Sequence, residues 1–186
     1  DRSPSRGLGD VYKRQSRDHA QHCPAPQRVE HDAEEIWANV RAVAATLATR
    51  NADRLPDIAA VSLTNQRETF VVFDRATGKS LRRAIVWQDR RGDAVCRILS
   101  EQGKGDLVAR RTGLSLDGYF SGSKIRRLLD EEPDVRAALA SGRAAVGTID
   151  AYLVHRLTDG RVCAGDSTNA SRTLLYDIDR LAWSVD

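Results

Sequence analysis

Thr64, Asn65, Gln66, Arg67, Glu68 and Thr69 make an unbroken polar stretch between two apolar runs, residues 58–63 and 70–73. Side chains of this kind are costly to bury without partners. The stretch therefore belongs at a strand end or a tight connection, facing solvent or a ligand. Arg67 offers a planar fork of donors and Glu68 offers two acceptor oxygens. Side by side they could grip a polyhydroxylated molecule, one giving hydrogen bonds and the other accepting them. A solvated turn with a surface ion pair fits the same residues, since loops are polar by default. Trp87 closes a third apolar run, residues 84–86, and is followed by Gln88, Asp89, Arg90 and Arg91. Its indole could supply a flat apolar wall for a carbon chain, with one N–H donor, or it could simply be buried under the helix that follows. The four residues after it could equally open that helix with their charges in solvent. Tyr119 precedes a helix start and can offer its hydroxyl to a small ligand; half-buried packing is the commoner fate of a tyrosine.

The elements that would hold these residues alternate between strand and helix, which argues an α/β layered domain. Residues 21–26 are extended and punctuated by Pro24 and Pro26. Asp32 is a good N-cap with Glu35 as its capping partner. Ile36, Trp37, Val40, Val43, Ala44 and Leu47 then recur at helical spacing and predict an amphipathic helix over residues 33–48, with Trp37 in the core. Residues 58–63, 70–73 and 84–86 read as three adjoining strands of one sheet, with Gly78 free to take positive φ in the turn at 74–80. Val95, Ile98 and Leu99 predict a helix over 94–99. Gly103 and Gly105 break the chain; with Lys104 they do not make a P-loop, because the other residues of that motif are absent. A turn rich in glycine then opens a helix carrying Lys124, Ile125, Leu128 and Leu129, which stops near Pro133. A short helix over 133–139 follows, then a strand end at 146–150 turning into a helix that Thr148 caps. Residues 174–176 read as a last strand, and no element is closed at 183–186. His22 and His31 suit surface or capping positions. His155 lies mid-helix with no second ligand at metal spacing.

The 186 residues suffice for one sizeable domain. At 41% hydrophobic and 30% charged the chain reads as globular and soluble. A net charge of +3 with dispersed basic residues does not argue for nucleic acid. No apolar run approaches a membrane span. Cys23, Cys96 and Cys163 are widely spaced and odd in number, as expected of free thiols in a cytosolic protein. The chain has no methionine, so it is read as cut at both ends. Residues 1–15 lack periodicity, and their end, Asp10 through Gln15, matches a reading frame of a transposon end used as a sequencing adaptor. They are read as a non-native tail.

Six ordered blocks carry a resemblance: Asn65-Gln66-Arg67-Glu68-Thr69, Ala84-Ile85-Val86-Trp87-Gln88-Asp89-Arg90-Arg91, Thr112-Gly113-Leu114, the stretch from Asp117 to Lys124, Gly147-Thr148-Ile149-Asp150, and the stretch from Asp166 to Thr173. Together, from about Gln21 onward, they resemble the FGGY carbohydrate kinase family, and within it the glycerol kinases. The resemblance implies that residues 16–186 are part of an FGGY N-terminal domain, a partial actin-like, ribonuclease-H-like ATPase domain. It implies a full-length parent that uses ATP and Mg²⁺ to phosphorylate a terminal hydroxyl of glycerol. Arg67, Glu68 and Tyr119 then resemble glycerol-contacting positions, and Trp87 the tryptophan lining that pocket. The block from Asp166 to Thr173 is expected to pack beneath the sugar side in a structural role. The family's phosphate loop is expected before Gln21, and its catalytic aspartate and second domain beyond Asp186. No catalytic, cofactor-binding or metal residue is assigned in this chain, and the fragment alone is expected to be inactive. The implied parent is a cytoplasmic homo-oligomer whose partner is glycerol or a similar polyol, with neither nucleic acid nor membrane. Another FGGY sugar or polyol kinase and a non-catalytic polyol-binding module remain the alternatives. Two departures stand out: Gln27-Arg28 replaces the family's Gly-Trp, and Arg127 replaces a tryptophan.

Overall fold

A computed structural model describes residues 15–185. The expected tail, residues 1–15, lies outside the described residues apart from Gln15. Strand β3 (Phe70–Asp74) is the centre of the fold. Its side chains alternate between two cores, as the two-residue period of a strand requires. Val71 and Phe73 pack with Ala33, Ile149, Tyr152 and Leu153, whereas Phe70 and Val72 pack with Ile85, Leu128, Val135 and Ala138. Helix α1 (Ala33–Arg50) and helix α6 (Ile149–Leu157) thus cover one face; α4 (Ser121–Glu131) and α5 (Pro133–Ala140) cover the other. Burial on both faces explains why Phe70-Val71-Val72-Phe73 is uninterrupted in its apolarity.

The sheet is antiparallel throughout, in the order β1 (Gln21–His22), β2 (Glu30–His31), β4 (Ala84–Ile85), β3 and β5 (Ala144–Thr148). Phe70 pairs with Ile85 on one side and with Thr148 on the other, in a register that carries Asp74 to Ala144. A separate hairpin joins β6 (Tyr176–Asp177) to β7 (Ala182–Trp183), so a strand does close in the stretch read as open, while 174–175 stay outside it. Helix α2 (Asp93–Glu101) lies where expected, and α7 (Ser167–Ala170) adds a single turn. Helix α3 (Gly105–Thr112) was not foreseen, its apolar residues being too few to show a period.

Residues 58–63 are not a strand. They run without a ladder partner, with Ile58 56% and Val61 79% exposed. A strand exists only through pairing, and an apolar run supplies the tendency but not the neighbour. Helix α1 starts as expected, with Asp32 Oδ1 accepting from Glu34 N and Glu35 N. Glu35, however, accepts from Ala20 N at 3.1 Å instead of closing a reciprocal capping box. Ile36, Trp37 and Val40 reach the core, but Leu47 lies outside it and is 39% exposed. Thr148 occupies the N-cap position of α6 without a side-chain cap bond; its hydroxyl donates to Asp150 Oδ1 instead. His31 is buried rather than superficial. Its ring meets that of His19 edge-on, and burial, then the charges of His19 and His22, hold its pKa below the ordinary value.

The two departures from the family pattern meet on one carboxylate. Arg28 Nη2 and Arg127 Nε donate to the same oxygen of Glu131, at 2.7 and 2.8 Å. Two positions expected to be aromatic thus enclose a shared ion pair instead of packing on each other. Gln27, beside Arg28, has φ +62°, a left-handed conformation that costs a residue with a Cβ about 1–2 kcal/mol. Gln27→Gly should therefore raise stability by about 1 kcal/mol, the greater freedom of glycine in the unfolded chain offsetting the rest. Urea denaturation reads this directly, and an unchanged or lower midpoint would show that the strain is relieved elsewhere.

Candidate functional site

The polar stretch enters β3 through a turn at Arg67 and Glu68. Glu68 has φ +63°, a strained backbone of the kind that persists where surrounding structure holds it. The holding groups are visible. Ser121 Oγ donates to the Glu68 carbonyl at 2.9 Å, and Arg172 Nε donates to Glu68 Oε1 at 2.6 Å. The Glu68 side chain is 4% exposed and that of Arg172 27%, so the pair is largely desolvated yet reachable from one side. Next in the chain, Thr69 Oγ1 accepts from Trp87 N at 3.1 Å. The polar stretch and the end of β4 are therefore bound to each other just where the two strands begin to part.

Trp87 and Tyr119 meet edge-on with ring centres 5.7 Å apart, and both are half-buried. Tyr119 in turn meets Phe120 at 5.3 Å, and the Arg172 guanidinium lies over both rings, 4.8 Å from Phe120 and 5.8 Å from Tyr119. The loop before α4 is fixed through Asp117, whose Oδ1 accepts from Tyr119 N at 2.7 Å and from Arg90 Nη1 at 2.8 Å. Arg90 also pairs with Asp93 at the start of α2. Behind the rings, Lys124 is fully buried, and its ammonium donates to the carbonyls of Val86 and Trp87. Burial lowers the Lys124 pKa to about 8 against the raising effect of Asp89 and Glu68.

Of the four residues singled out from the sequence, the structure brings Glu68, Trp87 and Tyr119 together: Arg172 touches Glu68 and Tyr119, and Tyr119 meets Trp87. Arg67 is exposed beside them and makes no hydrogen bond or ion pair among the described residues. The reading of Asp89 and Arg91 as solvated helix-start charges is corrected. Both are buried, and the Arg91 guanidinium donates twice to Asp89 and once to Glu30. Buried charges survive only when paired in this way. Sequence reasoning missed Arg172, Lys124 and Ser121. Lys124 carried a signal, because it lies four residues before Leu128 on the buried stripe of α4. Arg172 carried none, being one arginine in a polar block 104 positions from Glu68. Asn65 and Asn169 make a second bond across the same gap, 3.0 Å, so this block reaches the candidate site directly.

Chemically, the cluster offers an acceptor carboxylate, a phenol and an indole, with the exposed Arg67 next to Glu68 in the chain. That combination suits a neutral ligand with several hydroxyls and a short carbon backbone. Among the described residues no group of three or more His, Cys, Asp or Glu is placed to hold a metal ion. Among the described residues no helix is long and apolar enough to cross a membrane.

Comparison with known proteins shows the family to which the chain belongs. The chain matches the FGGY family of carbohydrate kinases, N-terminal domain, over residues 7–186. It is 49% identical over 166 residues to a glycerol kinase of Methylobacterium nodulans, covering 89% of this chain and 33% of that protein. It is 51% identical over 166 residues to one of Afipia carboxidovorans, with the same coverage. The chain thus spans about a third of the length of the curated relatives it matches. Among solved structures, a Plasmodium falciparum glycerol kinase with ADP superposes with a TM-score of 0.85 at 36% identity, over 95% of this chain and 35% of that one. A xylulose kinase of Lactobacillus acidophilus superposes with a TM-score of 0.79 at 19% identity, over 91% and 32%. The two-faced sheet is accordingly part of an actin-like, ribonuclease-H-like ATPase fold. The chain belongs to the FGGY family of carbohydrate kinases and represents its N-terminal domain.

Proposed function

We propose that this chain is the polyol-binding portion of an ATP-dependent glycerol kinase, whose complete form transfers the γ-phosphoryl of ATP to a terminal hydroxyl of glycerol. The observation that carries the reading is the turn at Glu68. Its strained backbone and its ion pair with Arg172 hold a buried carboxylate beside the Trp87–Tyr119 pair. The name shared by the relatives at 49% and 51% identity supports glycerol over other polyols.

In this reading Glu68 accepts hydrogen bonds from substrate hydroxyls, Arg67 and Tyr119 donate to them, and Trp87 covers the carbon backbone. A site that pairs every hydroxyl rejects analogues lacking one, because its own polar groups are then left unpaired. ATP supplies the phosphoryl group and Mg²⁺ the neutralising charge on the phosphates. The described residues provide no cluster suited to Mg²⁺, and no step of the transfer is assigned to them; their part is to bind and orient the acceptor. The complete protein is taken to be a cytoplasmic homo-oligomer.

The test is to recover the complete gene and assay ATP-dependent phosphorylation of glycerol, xylulose, ribulose, gluconate and erythritol. Turnover of glycerol alone is the expected result; turnover of none would end the kinase reading. Arg67→Ala in the complete enzyme should weaken glycerol binding more than about 10-fold, or about 1.4 kcal/mol. Calorimetry checks this, and an unchanged affinity would remove Arg67 from the site.

A further inference from the structure

Every segment that carries a candidate site residue is fastened to one turn of α4. Ser121 Oγ donates to the Glu68 carbonyl at 2.9 Å. Gly122 N donates to the Thr173 carbonyl at 2.7 Å, one residue beyond Arg172. Lys124 Nζ donates to the carbonyls of Val86 and Trp87 at 3.1 and 2.8 Å. Tyr119 lies two residues before the helix begins. Ser121, Gly122 and Lys124 are all buried, so these bonds are shielded from water and are expensive to break.

Two of the three residue types suit this fastening, and the carboxylates of Asp89 and Glu68 also favour a cation at Lys124. A methionine would fill the space of Lys124 without burying an ammonium, a choice that burial strongly favours unless carbonyls need a donor. At Gly122, a Cβ would come within 2.6 Å of the Thr173 carbonyl oxygen. Any side chain there would push the 172–173 segment away from the helix. The partners, in contrast, are backbone carbonyls in every case, so the contacts fix where each segment's main chain lies and leave its side chain free to meet a ligand.

We propose that Ser121, Gly122 and Lys124 act together as positioning residues, a bracket that holds Glu68, Arg172 and Trp87 in register with Tyr119. Its ligand rests on the polyol-binding reading above; its geometry does not. Because the three fastenings lie within one helical turn, a shift of α4 displaces all sides of the site together. Loss of any one fastening should therefore weaken acceptor binding without any of the three residues touching the acceptor.

The experiment uses the complete protein labelled with 5-fluorotryptophan, the Trp87 fluorine signal being assigned by its loss in Trp87→Phe. Lys124→Met, Gly122→Ala and Ser121→Ala are each expected to move the Trp87 signal in the absence of ligand while that of Trp37 stays in place. Glycerol Kd should rise by about 10-fold or more for the first two and about 3-fold for Ser121→Ala, with the KM for ATP changing by less than about 2-fold. Ser121 is a neutral group bonded to the Glu68 main chain. A Trp87 shift on Ser121→Ala therefore reports movement of the turn, not the loss of a neighbouring charge, and this mild variant decides the matter if Lys124→Met does not fold. A lowered melting temperature with an unmoved Trp87 signal and unchanged glycerol Kd would overturn the proposal, reducing the turn to ordinary packing. If the parent protein binds no glycerol, the polyol reading fails, and the fluorine shifts alone still judge the bracket.

Discussion

Arg91→Met is expected to destabilise the protein by about 4 kcal/mol, because it orphans a buried carboxylate. Arg91 Nε and Nη2 donate to the two oxygens of Asp89, both at 2.8 Å, and Nη2 also donates to Glu30 at 2.7 Å. The side chains of Arg91 and Asp89 are 1% and 0% exposed, so the discount that applies to surface pairs does not apply here. Asp89 further accepts from the backbone N–H groups of Val29 and Arg91, and through them it ties β2 to the end of β4. Glu30 keeps Arg82 after the substitution; Asp89 keeps no cation bonded to it.

Acid gives this prediction its sign. Burial alone would raise the Asp89 pKa, but the hydrogen bonds from Arg91 and Val29 outweigh it and hold the value below the ordinary 3.8. A depressed native pKa contributes stability that is fully present above the unfolded value and is lost as pH falls through the native one. In Arg91→Met the desolvation effect dominates and the native carboxyl takes up a proton more readily than the unfolded one. The deficit of the variant should then shrink as pH is lowered from 7 toward 4. Urea denaturation across that range measures it. A deficit below about 1 kcal/mol at pH 7, or one that does not change with pH, would mean that the pair is not buried in solution.

The legible parts of the sequence were those that a local period or a local chemistry encodes. The unbroken apolarity of residues 70–73 announced a strand, and Asp32 announced the start of α1. Pro133 announced the break between α4 and α5. Residues 58–63 carried the same apolar signal as β3 and form no strand, because pairing is a property of two segments. The candidate site divides in the same way. Glu68, Trp87 and Tyr119 could be named because each sits at a boundary between an apolar run and a turn, where a side chain has somewhere to face. Arg172 could not, since only the fold brings it to Glu68. Asp89 and Arg91 were misplaced for a related reason: adjacent charges after a strand look solvated until the residue that shares them, Glu30 on β2, is known.

The pair at the centre of the site makes the second large prediction. On the polyol-binding reading proposed above, Glu68→Gln in the complete protein should weaken glycerol binding by at least about 100-fold, or 2.7 kcal/mol, since the amide replaces a charged acceptor that hydrogen-bonds strongly. Arg172→Met should cost about 10-fold, because Glu68 loses the 2.6 Å contact that aims it. The two losses should not add. With the carboxylate gone, Arg172 has nothing left to orient, so the double variant should bind about as weakly as Glu68→Gln alone, a coupling of about 1.4 kcal/mol. The cycle separates two roles that a static contact leaves merged. If Arg172 instead bonds to the substrate itself, its loss would weaken binding by a similar factor in either background. Additive effects would therefore move Arg172 from a residue that orients the acceptor carboxylate to one that binds the ligand directly.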